Sequence, residues 1–396
     1  MAQLFRKFLY GFQTQGLSYL LNAPRNELAH PRLTLTHRVR RGAVGLHDAI
    51  WPARVRFADR SAGNLTFVYD LGVAPVTFDF ASYLAAAEVE RRIRGLDGIV
   101  AVFVPGSQHG LRRELPEYEL AVDVAARQWR VRNILLPMLS LLPSVRGCTI
   151  CASRDEAKAL MPDEESRLYP EGYRVYLPRQ PGKRVIHDHA RRGAVIWPLL
   201  RAPEPALRFV ADFLEGVAAG RRPIVISLRQ SKVFAERNSR IADWLAFART
   251  LDTRRYAPII VYDTEAALRR RSPELCGFAS CEAASWNIEI RMALYQSAWL
   301  NMAIMHGPLE LAMHNEHSRY MVFTPLEASA TTREALIHEN GQPVGRNLDF
   351  ARPGQCIAWT SDTLPAISGA FAAMEEELEA LPDDRVVPLA TPGSPR

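Results

Sequence analysis

Residues 65–71 read Leu-Thr-Phe-Val-Tyr-Asp-Leu, and residues 98–104 read Gly-Ile-Val-Ala-Val-Phe-Val. Both runs are short and almost wholly apolar, as is typical of strands buried in a parallel sheet. Between them, residues 80–94 are rich in Ala, Glu and Arg and are followed by Gly95, which predicts a helix with a glycine cap. A strand, a helix and a strand in this order predict a βαβ unit, and hence an α/β fold.

The same alternation continues along the chain. In the first half it predicts a helix over 119–135, a strand over 148–152 and a helix opened by Ser153. After two proline-rich interruptions it predicts helices over 205–219, 239–251 and 360–381, and strands over 223–229, 258–263, 277–281, 301–306, 320–323 and 356–359. We therefore predict two Rossmann-like lobes whose parallel sheets face a cleft.

The length of 396 residues suits this organisation, because domains usually contain one to two hundred residues. We predict an N-terminal extension over 1–60, a first Rossmann-like domain over 61–200 that takes an acceptor, and a second over 201–381 that takes a nucleotide. The proline-rich tail over 382–396 is predicted to be disordered.

The composition excludes several classes of protein. Apolar residues make up 48% and charged residues 23%, which is typical of globular domains and not of disordered or membrane-spanning chains. The formal charge of +6 suits an anionic partner. The sequence lacks a basic stripe with interleaved aromatic residues, so we do not predict binding to nucleic acid. Residues 4–12 have apolar side chains at helical spacing beside Arg6 and Lys7. This pattern favours a terminal helix docked on the protein's own surface and leaves a peripheral contact with the inner membrane as the alternative.

The cysteine pattern indicates a reducing, cytoplasmic compartment. Five cysteines without framework spacing favour free thiols over disulfides. The pair Cys148 and Cys151 has a spacing used for zinc, yet it falls in an apolar strand, so we expect buried thiols. No dinucleotide fingerprint, P-loop, nucleophile elbow or zinc-protease motif is present. We predict no metal site, no cofactor and no transmembrane segment.

The most informative segment for function follows the strand over 223–229. Arg229 ends that strand, where open α/β sheets bind ligands, and a guanidinium there suits phosphate. Lys232 follows in the loop, and Arg237 and Asn238 precede the next predicted helix, whose free N–H groups also attract anions. An Arg paired with a structural carboxylate is the alternative for Arg229 taken alone.

Three more residues of the second half are candidates for the same site. Asp263 ends a strand, where its carboxylate could accept from ribose or sugar hydroxyls or could cap a helix. His306 ends another strand, and Gly307 then opens a tight turn. Free N–H groups in that turn would suit a second phosphate.

Four features together resemble the carboxyl-terminal half of GT-B-type glycosyltransferases, closest to the fucosyltransferase-like group: the strand ending at Arg229, the helix start at Arg237-Asn238, the strand end at Asp263 and the turn Met305-His306-Gly307-Pro308. The resemblance covers residues 205–381. It implies that Arg229 clamps the donor's diphosphate and that Asp263, His306 and Gly307 line the nucleotide pocket. Ser227 and Gln230 depart from the family's pattern, which has His and Arg at these positions.

The resemblance implies a metal-independent glycosyltransferase that moves a sugar from a nucleotide-diphosphate donor to a hydroxyl on a glycan or another acceptor. Arg229 and Arg237 would stabilise the leaving group, and Lys232 and Asn238 would help to bind it. The base is expected from the first domain, where Asp70, Asp79 and His109 lie near strand ends. A non-catalytic sugar- or nucleotide-binding protein is the main alternative, supported by the two departures, and a nucleotide-sugar epimerase is a weaker one.

Overall fold

The structure is a computed structural model. It describes residues 28–29, 31, 34–50, 63–193, 199–232, 234–264, 273–325, 341–342 and 344–381. The amphipathic residues 4–12 and the tail over 382–396, for which the sequence made predictions, lie outside these ranges.

The chain divides into two compact units. Unit 1 comprises Met1–Leu200 and Thr331–Pro343, and unit 2 comprises Arg201–Ala330 and Val344–Arg396. Each unit has a sheet of its own, and every strand pairing in the two sheets is parallel. The α/β class with two parallel sheets, predicted from the sequence, is confirmed.

Unit 1 is built on a four-stranded sheet with the order β3-β2-β1-β4. The strands are β1 (Asn64–Asp70), β2 (Gly98–Val104), β3 (Val145–Ile150) and β4 (Leu168–Tyr169). The helices described in this unit are α1 (Thr34–Ile50), α2 (Asp79–Ile93), α3 (Pro116–Ala121), α4 (Val124–Arg130), α5 (Leu136–Met138), α6 (Arg154–Ala159) and α7 (Arg184–Ala190). Gly95 follows α2 with φ of 65°, a conformation that favours glycine, as predicted.

The unit 1 sheet packs against α2 through aromatic side chains that alternate along the strands. The Tyr69 ring lies edge-on to the Phe80 ring at 4.7 Å between centroids, and Phe67 lies 5.9 Å from Phe80. All three are fully buried. Burial of such rings contributes about 2 kcal/mol each, which explains why the apolar runs fold as the centre of this unit.

One prediction for unit 1 was wrong. The helix predicted over 119–135 is broken, because Asp123 caps a new helix by accepting from the Ala126 N–H at 2.7 Å. Beyond α4 the chain makes a π turn over Val131–Leu135 before Pro137, which has no N–H to continue the ladder. The polar stretch assigned to an N-terminal extension contains the 17-residue helix α1.

Unit 2 is built on a six-stranded sheet with the order β10-β9-β8-β5-β6-β7. The strands are β5 (Arg222–Ser227), β6 (Tyr256–Val261), β7 (Ala279–Ser280), β8 (Leu300–Ile304), β9 (Tyr320–Phe323) and β10 (Gln355–Ala358). The helices described here are α8 (Glu204–Ala218), α9 (Ile241–Thr250), α10 (Ile288–Ser297), α11 (Leu309–Met313) and α12 (Leu364–Ala380).

One face of the unit 2 sheet packs on α9 and α12. Trp244 of α9 lies edge-on to Phe323 of β9 at 5.5 Å, and Phe247 lies 5.3 Å from Phe371 of α12. These apolar side chains form one buried cluster with the strands. The core therefore fixes the strand order, and with it the positions of the residues that follow each strand.

Candidate functional site

The strand order of unit 2 contains a switch point between β5 and β8. From β5 the chain proceeds to β6 and β7 on one side, then returns to β8, β9 and β10 on the other. Ligands of open α/β sheets bind outside the carboxyl ends of the strands at such a point. Arg229 lies two residues after β5, and His306 lies two residues after β8, so both predicted residues flank the switch point.

Arg229 is buried and holds the loop that follows it. Its Nη1 donates to the Phe234 carbonyl at 2.9 Å and to Asn238 Oδ1 at 2.5 Å, and its backbone N–H donates to Ser239 Oγ at 2.8 Å. Burial, then the neighbouring Arg237, lowers the pKa of Arg229 below its ordinary value. The guanidinium stays charged, because the ordinary pKa of arginine is far above neutral pH.

The loop after β5 is closed by the side chain of Asn238. Its Oδ1 accepts from the Ser231 N–H, and its Nδ2 donates to the Ser231 carbonyl, both at 2.9 Å. Asn238 thus shapes the loop. Lys232 is exposed on it, and Arg237 is half-buried at its end.

The helix start predicted next to Asn238 lies further along the chain. Helix α9 begins at Ile241, after a turn of 3-10 helix over Ala235–Arg237. The Arg240 N–H and the Trp244 Nε1 both donate to Asp362 Oδ2, at 2.9 and 2.8 Å. The carboxylate of Asp362 therefore already accepts from one backbone N–H at this helix end, and anion binding by the other N–H groups here stays a prediction.

His306 is buried beside the arginines. Its side chain is 6% exposed, and its Nε2 has no hydrogen-bond partner among the described residues. Burial, then the positive charges of Arg291, Arg229 and Arg237, lowers the pKa of His306 well below its ordinary range. The imidazole is therefore neutral. Thr324, which follows β9, is also buried with its Oγ1 unpartnered.

Arg291 is the residue that sequence reasoning missed. It projects from α10 and is 2% exposed. Its Nε donates to the Ala284 carbonyl at 2.5 Å and its Nη2 to the Tyr262 carbonyl at 3.1 Å, which fixes it where β6 ends. One signal in the sequence could have identified it: Arg291 lies four residues after the capping Asn287, on the buried side of the helix.

The turn at Gly307 has fewer free N–H groups than predicted. The N–H groups of residues 309, 310 and 311 donate to the carbonyls of His306, Gly307 and Pro308. The expectation of free N–H groups for a second phosphate was therefore wrong for these three. Asp263 is half-buried after β6, and its Oδ1 accepts from the Thr264 N–H at 2.9 Å.

The charges around the unit 2 edge are predominantly positive. Arg229, Arg237 and Arg291 surround the neutral His306, while Asp263 and Glu236 are the carboxylates that act on Arg229. Three arginines against two carboxylates leave a net positive charge at this edge, which favours an anionic ligand. The arrangement suits a phosphate or diphosphate group.

The corresponding edge of unit 1 is occupied by its own side chains. Asp70, fully buried after β1, accepts from Arg154 Nη2 at 2.5 Å, Arg154 Nη1 at 3.2 Å, Tyr173 Oη at 2.7 Å and the Gly72 N–H at 2.8 Å. These four contacts make Asp70 a structural carboxylate and not a base. Asp79 is bound by Thr77 and Lys183, and His109 is exposed in a turn with φ of 51°.

The cysteine pair differs from its prediction in one member. Cys151 is buried, and burial raises the pKa of its thiol to about 11. Cys148 is exposed, because β3 is an edge strand whose residues alternate between half-buried and exposed.

Among the described residues, no group of three His, Cys, Asp or Glu side chains is placed to hold a metal ion. No helix within the described ranges has the length and apolarity to cross a bilayer.

Neither a known protein family nor a curated protein sequence matches the chain. The structure is similar to a glycosyl transferase family 9 protein from Veillonella parvula, at 9% identity and a TM-score of 0.43, over 66% of this chain and 80% of that chain. It is similar to the ADP-heptose LPS heptosyltransferase II of E. coli, at 9% identity and a TM-score of 0.43, over 80% and 100%. It is also similar to the wall teichoic acid polymerase TagF, at 10% identity and a TM-score of 0.28, over 96% and 92%.

The first two of these solved structures are named as glycosyl or heptosyl transferases, the class that the sequence resemblance implied. None of the three is named as a fucosyltransferase, so they do not support the resemblance to the fucosyltransferase-like group. At these identities and TM-scores the similarity carries no argument about activity.

Proposed function

We propose that the protein is a metal-independent glycosyltransferase that moves a sugar from a nucleotide-diphosphate donor to an acceptor hydroxyl. In this proposal unit 2 takes the donor's diphosphate at the carboxyl edge of its sheet. Unit 1 binds the acceptor, which is a glycan or another hydroxyl compound, and the reaction takes place in the cytoplasm. The transferred sugar is of hexosyl or fucosyl type.

One observation carries the proposal: Arg229 and the buried, unpartnered Nε2 of His306 flank the switch point of a parallel sheet. A buried polar atom without a partner costs roughly 1 to 3 kcal/mol, which a bound polar ligand would recover. Thr324 Oγ1 adds a second such atom on the neighbouring strand. Positive charge and unsatisfied polar atoms at one strand edge together favour an anionic, hydrogen-bonding ligand.

The chemistry of sugar transfer explains why arginine is needed. As the bond to the sugar breaks, the sugar becomes cationic and the departing diphosphate gains negative charge. In the proposal Arg229 stabilises that charge more strongly in the transition state than in the bound donor, which raises turnover. Arg237 assists from the end of the loop, and the exposed Lys232 contacts the outer phosphate.

The other predicted residues have supporting roles in this proposal. Neutral His306 hydrogen-bonds a phosphate oxygen or the nucleoside without adding a charge that the arginines would repel. Asp263 accepts from a ribose or sugar hydroxyl, and Gly307 lets the nucleotide approach the backbone. Asn238 holds the loop in the shape that presents Arg229.

Turnover of a panel of nucleotide sugars tests the proposal. Slow hydrolysis of one donor, accelerated by an acceptor mixture, is expected of the wild type. Arg229→Lys lowers turnover more than donor affinity, because Lys lacks the forked contact. Arg229→Ala lowers transition-state stabilisation by about 3 kcal/mol or more, on the scale of a lost oxyanion donor.

Ser239→Ala serves as the control for loop order. It removes the side chain that accepts from the Arg229 N–H but leaves the guanidinium in place. We expect a smaller loss of turnover than for Arg229→Lys. Binding of a donor with no hydrolysis and no transfer would favour the non-catalytic binding protein, and release of an epimerised sugar nucleotide would favour an epimerase.

A further inference from the structure

Two neighbouring loops at the carboxyl edge of the unit 2 sheet are tied together by hydroxyl groups. One loop follows β6, and the other is a 3-10 turn that follows β7. The Ser285 Oγ donates to the Tyr262 carbonyl, and the Thr264 Oγ1 donates to the Ser285 carbonyl, both at 2.9 Å. Each loop thus donates once to the other, and the two bonds fix the backbone on both sides of Asp263.

Arg291 makes a third connection between the same loops. This residue is buried on α10, whose first turn is capped by the Asn287 side chain. The Arg291 Nε donates to the Ala284 carbonyl in the loop after β7, at 2.5 Å. Its Nη2 donates to the Tyr262 carbonyl in the loop after β6, at 3.1 Å. Because one planar guanidinium makes both bonds, it sets the distance between the two loops.

Asp263 is the residue that these bonds hold. Its side chain is half-buried, and its Oδ1 accepts from the Thr264 N–H at 2.9 Å. Its Oδ2 has no hydrogen bond or ion pair within the part of the chain that the structure describes. The carboxylate is near enough to Arg229 to interact with that guanidinium. It is thus held beside the candidate diphosphate site with one oxygen left to accept from a hydroxyl.

We propose that Arg291 and Ser285 are positioning residues, which hold the loop after β6 so that the Asp263 carboxylate accepts from a hydroxyl of the donor. Neither residue contacts the donor itself. The proposal rests on the proposed binding of a nucleotide-diphosphate donor by unit 2. Without these bonds the carboxylate would have to be ordered when the donor binds, and that cost would lower affinity.

A purely structural role for the two residues makes a different prediction. Loss of a structural bond lowers stability and weakens binding whether or not Asp263 is present. Loss of a positioning bond acts only through the carboxylate, so it has no further effect once the carboxylate is removed. A double-mutant cycle with Asp263→Ala therefore separates the two roles.

Calorimetric titration of the full chain with ADP, GDP, UDP and CDP, and with the glucose conjugates of each, tests the proposal. We expect Asp263→Ala to weaken binding by about tenfold or more, because a hydrogen bond to a charged group is lost. Arg291→Lys weakens it by about tenfold, since an ammonium keeps the charge but cannot bridge both carbonyls. Ser285→Ala weakens it by about threefold, and neither change weakens it further in the Asp263→Ala protein.

The two sets of ligands identify the hydroxyl. If Asp263→Ala weakens binding of the nucleoside diphosphates as much as that of their conjugates, the carboxylate contacts the ribose. If it weakens binding of the conjugates alone, the carboxylate contacts the transferred sugar. Both results support the positioning role, provided that the effects of Arg291→Lys and Ser285→Ala follow the same ligands.

Thr250→Ala is the matched control. The Thr250 Oγ1 donates to the Phe247 carbonyl at 2.7 Å at the end of α9, so this change removes the same kind of bond away from the two loops and leaves binding unchanged. Ser285→Ala removes a single hydroxyl and tests the same point if Arg291→Lys does not fold.

Three results would overturn the positioning role while diphosphate binding by unit 2 stands. They are losses that add in the double variants, full affinity in both Arg291→Lys and Ser285→Ala, and an Asp263→Ala protein that binds every ligand as the wild type does. A wild type that binds none of the eight ligands overturns the proposed function, and the positioning role with it.

Discussion

The carboxyl edges of the two sheets contain charged residues of similar types but pair them in opposite ways. In unit 1, the fully buried Asp70 accepts from Arg154 at 2.5 Å and from Tyr173 at 2.7 Å, so opposite charges meet within the protein. In unit 2, the described contacts of Arg291 are two backbone carbonyls and no carboxylate, and Nε2 of His306 lacks a partner.

This difference separates a structural site from a candidate binding site. A buried carboxylate that receives four hydrogen bonds has no capacity left for a ligand. It holds the loop after β1 through the Gly72 N–H, and its partner Arg154 holds the loop after β2 through the Pro105 carbonyl. At the unit 2 edge the buried Nε2 of His306, near Arg291, has no hydrogen-bond partner among the described residues, and in our proposal an anionic ligand contacts it. The same position in two parallel sheets thus serves stability in one unit and, in our proposal, binding in the other.

The largest effect is expected at the unit 1 edge. Arg154→Ala removes the cation that faces Asp70 and leaves a carboxylate buried without its partner charge. We expect a loss of about 3 to 5 kcal/mol in the free energy of unfolding, measured by urea titration. Arg254→Ala, in an exposed pair with Asp252, is the control and costs about 1 kcal/mol or less.

If Arg154→Ala left the free energy of unfolding unchanged, the unit 1 edge would not be the structural site that the comparison of the two edges describes. It would fail equally if the folded variant lost its affinity for nucleoside diphosphates. In the second case the unit 1 edge would itself be part of the donor site, and Asp70 would hold the arginine for a ligand.

A smaller effect is expected from the pH dependence of unit 2. The pKa of His306 is lowered on folding, so the unfolded chain binds the proton more tightly. The neutral imidazole therefore contributes stability above the ordinary pKa of 6.5, and that stability is lost as the pH falls towards the folded value. Between about pH 7.5 and 5.5 the wild type should lose about 1 kcal/mol more than His306→Asn.

Thermal unfolding of both proteins across this range measures the difference. A parallel loss in the two proteins would show that His306 keeps its ordinary pKa and is not enclosed by the arginines. Addition of pyrophosphate should reduce the wild-type loss, because a bound anion stabilises the protonated imidazole.

Local sequence patterns predicted the strands and the positions at their ends. β2 and β9 have the predicted bounds, because apolar runs bounded by polar residues are local signals. Arg229, Asp263 and His306 were predicted as the last residues of their strands, and each lies two residues beyond the observed strand end. The strand order was not predictable, since it depends on contacts between distant segments. Arg291 reaches the edge through that order, and its helical position alone did not indicate it.

Two other features depended on tertiary partners as well. Asp362 lies over a hundred residues from Arg240, so no pattern near residue 241 could reveal that the Arg240 N–H donates to its carboxylate. The N–H groups of Leu309, Glu310 and Leu311 donate within the Gly307 turn itself, which follows from its 3-10-like geometry and not from its composition.

Binding of nucleoside diphosphates to three proteins tests the central claim most directly. Arg222 is the first residue of β5, and Arg229 lies two residues after the other end of that strand, so Arg222→Ala is the control for Arg229→Ala. Calorimetric titration should show that Arg229→Ala weakens binding of one diphosphate by about 100-fold, while Arg222→Ala binds as the wild type does. If Arg229→Ala lowers the melting temperature but binds diphosphates as before, Arg229 holds only the loop, and the unit 2 edge is not the donor site.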